Sequence, residues 1–272
     1  MNKYELTDET KTLEDGTVLR RIRAVRDFTL ASGYKIRAGK LGGWIENESN
    51  LSHDGKAWVD DDACVSGRAH VLDDARVLDR AAVCDDACVC DTAEIYGDAL
   101  VRAAAKVCGH AWVSGRSIVR GNALVCDTAR VYGQSLVYDS ARISGFAEVR
   151  GNAVVCDDAK VYGNAKVCDD AYVCDTAEIY DYAIVSGQAK VCGDAKVRSK
   201  SDYSVYKNTW SSGRWLTYTR SNGMWKVGCF HGTGKELIEK AYKDSELSGR
   251  CYETIVRAQE AIEAETGEGA TT

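Results

Sequence analysis

From Gly55 to Arg198 the chain can be cut every six residues without a gap, as GKAWVD, DDACVS, GRAHVL, DDARVL and onward to GDAKVR, which makes 24 consecutive hexads. The fifth position is Val in all but three of them, where Ile95, Ile143 and Ile179 stand, and the third is Ala except at Ser117 and Ser135. A period this strict excludes a plain helix and demands a repeat architecture. Residues two apart on a strand face the same way, so positions three and five point inward and position four points out. Position five fills the interior with a β-branched side chain, as at Val59, Val65, Ile95, Ile143 and Ile179. Position one is Gly or Asp nearly everywhere and position two is often Asn or Asp, residues that tolerate left-handed backbone angles at a corner. Each hexad therefore reads as one short strand and one corner. The absence of proline from all 272 residues suits such a ladder, because every amide keeps a proton to donate.

An aliphatic residue followed four positions later by a small one, as in Val59 to Ala63 and Val65 to Ala69, resembles the hexapeptide-repeat left-handed β-helix, whose coils hold three hexads. The resemblance implies about eight triangular coils of 18 residues, stacked at ~4.8 Å into a rod of ~38 Å. The fold class expected is thus mainly β, a single-stranded left-handed β-helix with a small C-terminal α+β module. Stability in such a rod is distributed between neighbouring coils. Its two ends expose unpaired edges and need covering.

Residues 1–54 lack the hexad and are expected to form an N-terminal β cap, with Trp44 as its plug; residues 55–198 form the solenoid. The stretches NKYEL, LRRIRAVRDF and GGWIENESNLS resemble the N-terminal region of the YdcK-type β-solenoid family, whose members are called acyl transferases. Residues 199–264 read as the α+β module. Asn222-Gly223 between two aromatic-rich segments signals a type I′ hairpin. Helices are expected near 234–244, burying Leu237, Ile238 and Ala241, and near 248–263, with Tyr252, Ile255, Val256 and Ile262 on one face and Gln259 the polar exception. This module is similar to ones in phage and prophage proteins. The tail, 265–272, reads as disordered.

Net charge is −6, which gives no basis for general attraction to nucleic acid or anionic lipid. No membrane span or secretory leader is read, so the expected compartment is the cytoplasm. Ten of the twelve cysteines fall inside the repeat and none has paired zinc-ligand spacing, so they read as reduced thiols and no metal or other cofactor is assigned. Sorted three hexads to a coil, Cys90, Cys108 and Cys126 form one outward ladder, and Cys156, Cys174 and Cys192 another. A soft metal is conceivable on either. The acidic column Asp139, Asp157 and Asp175 reads as solvated surface, since Arg142, Lys160 and Lys196 are interspersed.

The family resemblance implies acyl transfer from acyl-coenzyme A with a histidine as general base. Of four histidines, His110 at a corner and His70 on a flat outer face are the candidates. No loop interrupts the 24 hexads to build a cleft, which weighs against an enzyme.

The outward position four carries more information. On one face it reads Cys64, Ala82, Leu100, Ile118, Leu136, Val154, Tyr172, Lys190, an apolar stripe along most of the rod, while the other two faces are largely polar. Sorting by two hexads gives a shorter competing run from Cys88 to Leu136. An exposed apolar band of this kind marks an interface. Leu100, Ile118, Leu136, Val154 and Tyr172 are therefore expected to join copies of the chain into a homo-oligomer, making the protein a scaffold. An acyltransferase, or a phage protein that sequesters a host protein or a small-molecule nucleotide signal, are the alternatives.

Overall fold

The computed structural model describes residues 2–267. It opens with β1 (Tyr4–Thr12), β2 (Val18–Ala24), β3 (Phe28–Thr29), β4 (Lys35–Ile36) and β5 (Leu41–Ile45). The hexads follow as 24 two-residue strands, β6 to β29, running from Trp58–Val59 to Lys196–Val197. They wind as a left-handed β-helix with three parallel sheets for walls. Each strand pairs with the one 18 residues on, as in Ala82↔Leu100 and Val83↔Val101, which selects three hexads per coil and rejects two. Between coils, Trp58 N–H donates to Ala75 O at 3.0 Å and the pattern repeats upward. Every Val or Ile at position five, including Val59, Val65, Ile95, Ile143 and Ile179, is fully buried.

The corners explain the acidic columns. Position one adopts positive φ throughout, 53° to 60° where it carries a side chain and 64° to 82° where it is Gly. An aspartate placed there reaches up one coil and accepts the next position-one amide, as in Asp91 to Gly109 N at 2.8 Å, Asp127 to Gly145 N at 2.9 Å and Asp157 to Asp175 N at 3.0 Å. The left-handed angle costs an L-residue free energy that this hydrogen bond offsets.

The solenoid starts earlier than its hexads. Ile45 pairs with Val65 and Leu51 bridges to Val71, so these residues occupy position five of a preceding coil, which β6 completes. Eight full coils and two sides of a ninth result. Trp44, expected as the plug, instead registers with Cys64 on the outer wall, half-buried between Lys11 and Arg21. The plug is aliphatic and phenolic: Tyr4, Ile22, Leu30 and Ile36 are buried in one cluster with the first coil. Trp58, whose position four should face solvent, is also buried, with Phe28 edge-on at 5.4 Å. The chain can cross so tightly because Gly42 has no side chain; a Cβ there would lie 2.6 Å from Val59 O.

Beyond the last coil, β30 (Tyr203–Lys207), β31 (Trp215–Thr219), β32 (Met224–Val227) and β33 (Phe230–Thr233) form an antiparallel sheet, followed by α1 (Gly234–Asp244) and α2 (Glu246–Gly267). Only Gly223, not Asn222, takes positive φ between β31 and β32, so the turn is a four-residue connection rather than type I′. Asn222 serves by its side chain, which accepts from Met224 N at 3.2 Å and donates to Asp194 at 3.0 Å. Thr233 and Glu236 form a capping box on α1. Leu237, Ala241, Tyr252 and Val256 join the module's core, Ile238 and Ile255 pack at its margin, and Ile262 is exposed. Gln259 is buried because it accepts from the Tyr206 hydroxyl at 2.7 Å. Residues 265–267 continue α2, against the expectation of disorder; that expectation for 268–272 lies outside the described residues.

Candidate functional site

The apolar stripe exists as one continuous column. Leu100, Ile118, Leu136 and Val154 are Cα partners in sequence along a single sheet, with Tyr172 next. All five side chains are half-buried. At the N-terminal end Lys11 covers Cys64, with Nζ 3.6 Å from its sulfur, so the open run begins at Ala82. At the far end the chain turns into the C-terminal sheet. Tyr172 leans off the stripe toward the neighbouring corner, its hydroxyl 3.2 Å from Cys156 Sγ and 3.4 Å from the Tyr138 hydroxyl. Arg120 stacks over Tyr138 at 4.7 Å and borders the stripe with a cation.

The structure does not bring His70 and His110 together. His70 is exposed, with Nδ1 2.9 Å from Ser49 O, and among the described residues no carboxylate or hydroxyl is hydrogen-bonded to it. His110 sits in a groove of about 350 Å³ with Thr92, Glu94, Trp112, Thr128 and Arg130, overhung by Ala31 and Ser32 of the N-terminal segment. Its Nδ1 is hydrogen-bonded to Thr92 Oγ1. Glu94 is tied to Arg76 at 3.2 Å, and the Arg130 guanidinium lies 4.7 Å over the half-exposed Trp112 ring. Trp112 and Arg130 also line an adjoining hollow of about 210 Å³ with Tyr96, Ser114 and Tyr132. Sequence reasoning missed this groove, because Ser32 and His110 are far apart in the chain and only the folded-back N-terminal segment joins them.

The position-six cysteines do not point freely outward. Cys90, Cys156, Cys168, Cys174 and Cys192 are buried at the corners. Cys174 and Cys192, one coil apart with Cα atoms at 4.8 Å, are joined as a disulfide, which corrects the expectation that all ten repeat thiols are reduced. Burial pushes the thiols of Cys84 and Cys126 up to about 11. Among the described residues no helix is long and apolar enough to cross a membrane.

The fold is that of a hexapeptide-repeat left-handed β-helix. No protein-family model matches the chain. It is 36% identical over 73 residues to a protein named uncharacterized acetyltransferase YdcK from Escherichia coli (strain K12), an alignment that covers 24% of this chain and 21% of that protein. The likeness to YdcK thus spans about a fifth of the relative's length, and YdcK's name describes that whole protein.

Proposed function

We propose that this protein is a non-enzymatic cytoplasmic β-solenoid that works as a scaffold by pairing with a second copy of itself. The column Leu100, Ile118, Leu136 and Val154, which Tyr172 continues in backbone register, carries the reading. The occupant argued for is a second copy, because a two-fold axis through Leu136 sets Leu136 against Leu136, Ile118 against Val154 and Leu100 against Tyr172, at one strand spacing on both sides. Each half-buried aliphatic side chain gains on the order of 1 kcal/mol when fully covered, and eight to ten such groups together are needed to exceed the entropic cost of association. Light scattering on Leu136→Asp should give smaller particles than the unsubstituted protein; a monomeric mass for both would sink the reading.

A second reading, acyl transfer from acyl-coenzyme A, is favoured by the groove that holds His110 and by the name of the relative YdcK. The same samples separate the two. Acetyl-coenzyme A should leave the melting temperature unchanged if the scaffold reading holds, whereas a rise that His110→Ala abolishes would support the enzyme.

A further inference from the structure

At one corner of the solenoid the sulfur of Cys90, a carboxylate oxygen of Asp91 and the sulfur of Cys108 all lie within 4.8 Å of one another. The arrangement follows from the coil. Cys90 is the sixth residue of one hexad, Asp91 the first of the next, and Cys108 stands directly above Cys90 on the following coil. Asp91 is fixed at φ 58°, and its Oδ2 accepts from Gly109 N at 2.8 Å, so the carboxylate is held in place before any ligand arrives. No hydrogen bond among the described residues engages Oδ1. Cys90 is buried, Cys108 is half-buried and Asp91 is exposed, which gives the cluster a floor and an open side.

We infer that Cys90, Asp91 and Cys108 form a binding site for a zinc-class divalent ion. Two thiolates and one carboxylate suit a borderline-soft d¹⁰ cation, and three protein ligands leave the fourth tetrahedral position to water on the open side. On binding, each S–H bond breaks, two sulfur–metal bonds form, and both protons pass to solvent. Lys106, in register with Cys88 on the same wall, moderates the negative charge of the occupied cluster. The same Cys-Asp-Cys arrangement recurs at Cys174, Asp175 and Cys192, where the two sulfurs are joined to each other. The repeat sets Cys, Asp and Cys in this register three times, at Cys90-Asp91-Cys108, Cys156-Asp157-Cys174 and Cys174-Asp175-Cys192, and among the described residues only the copy at Cys90 both draws its three ligand atoms together and keeps both thiols free.

The test uses cobalt(II) as the spectroscopic probe on the full chain, anaerobic and reduced, in a Cys174→Ser background that disables the other two copies. One equivalent should produce a thiolate-to-cobalt charge-transfer band together with the visible bands of tetrahedral cobalt, and zinc should bleach both. Adding Cys108→Ser should abolish the bands and weaken binding by more than about 100-fold, beyond the loss typical of outer-sphere partners. Asp91→Asn, which keeps the amide acceptor and tolerates the corner angle, should retain the charge-transfer band while weakening binding at least about tenfold. A folded Cys174→Ser protein that shows no charge-transfer band, or a band that survives Cys108→Ser, would overturn the inference. Circular dichroism on each variant confirms that the solenoid is intact.

Discussion

At the corners a single side chain decides between strain and support. Most non-glycine position-one residues are aspartates, but Ala103 sits at φ 57° and offers no carboxylate to Gly121, one coil above. Ala103→Asp should therefore stabilise the protein by about 1 kcal/mol, the worth of one charge-assisted bond to a backbone amide, read as a higher denaturation midpoint at unchanged slope. Lys3 presents the opposite case. It is fully buried, and that burial lowers its ammonium from 10.5 to about 8, against the raising influence of Asp74 and Asp54. Between those values the unfolded chain binds more protons than the folded one, so stability rises with pH across that window. Below it Lys3 costs about 3 kcal/mol in full. Lys3→Met should raise the melting temperature at pH 7, and the advantage should vanish near pH 10.5. An advantage that persists there would show packing, not desolvation, to be responsible.

Among the elements, the C-terminal sheet does for the last coil what each coil does for the one below. In the stack an amide donates to a carbonyl one coil on, and the last strand of each wall has no successor. Side chains stand in: Lys190 N–H donates to Thr217 Oγ1 at 2.8 Å, Lys196 N–H to Ser221 Oγ at 2.6 Å and Ser186 N–H to the Tyr203 hydroxyl at 3.3 Å. His231 packs over Gly193, where an added Cβ would meet its ring. Thr217→Val keeps the shape and removes the acceptor, which leaves the half-buried Lys190 amide unpaired. A loss of about 1–3 kcal/mol is expected, with faster hydrogen exchange at Lys190 than at Tyr172 one coil below. Equal exchange at both sites would show that the last coil does not depend on that cap. How the sheet docks was not legible beforehand, because a lone Thr or Ser carries no sign that it will replace a missing strand.

For the whole molecule, three walls of parallel strands share one Val-filled interior, and each coil touches only its neighbours, so stability is a sum along the rod rather than the property of one centre. Such a rod offers long straight columns outside. Several carry charged pairs across adjacent coils, among them Arg76 with Glu94 at 3.2 Å, Arg80 with Asp98 at 2.8 Å and Lys160 with Glu178 at 3.1 Å. The apolar column is the exception, and the dimer expected from it belongs at this scale. Charged columns satisfy themselves within one chain, whereas the apolar column has no such internal partner, and the proposed dimer is placed on it for that reason.

Period, strand alternation and corner chemistry followed from the hexads alone, since a residue type recurring every six positions can serve only one environment. Val at position five and Ala at position three could therefore be placed inside, and Leu100 to Tyr172 sorted into one stripe. Where the chain leaves the period, local pattern loses that power. Trp44 reads as a plug until the register of β5 turns it outward and gives the interior place to Ile45. Trp58 reads as exposed until the returning segment of Phe28 covers it. Cys90 and Cys108 sort into one outward ladder by the period alone, but only the folded coil buries Cys90 at its corner and sets both sulfurs beside the Asp91 carboxylate. Those outcomes rest on which distant segments meet, and long-range packing, unlike a six-residue period, leaves no local signature in the residues it joins.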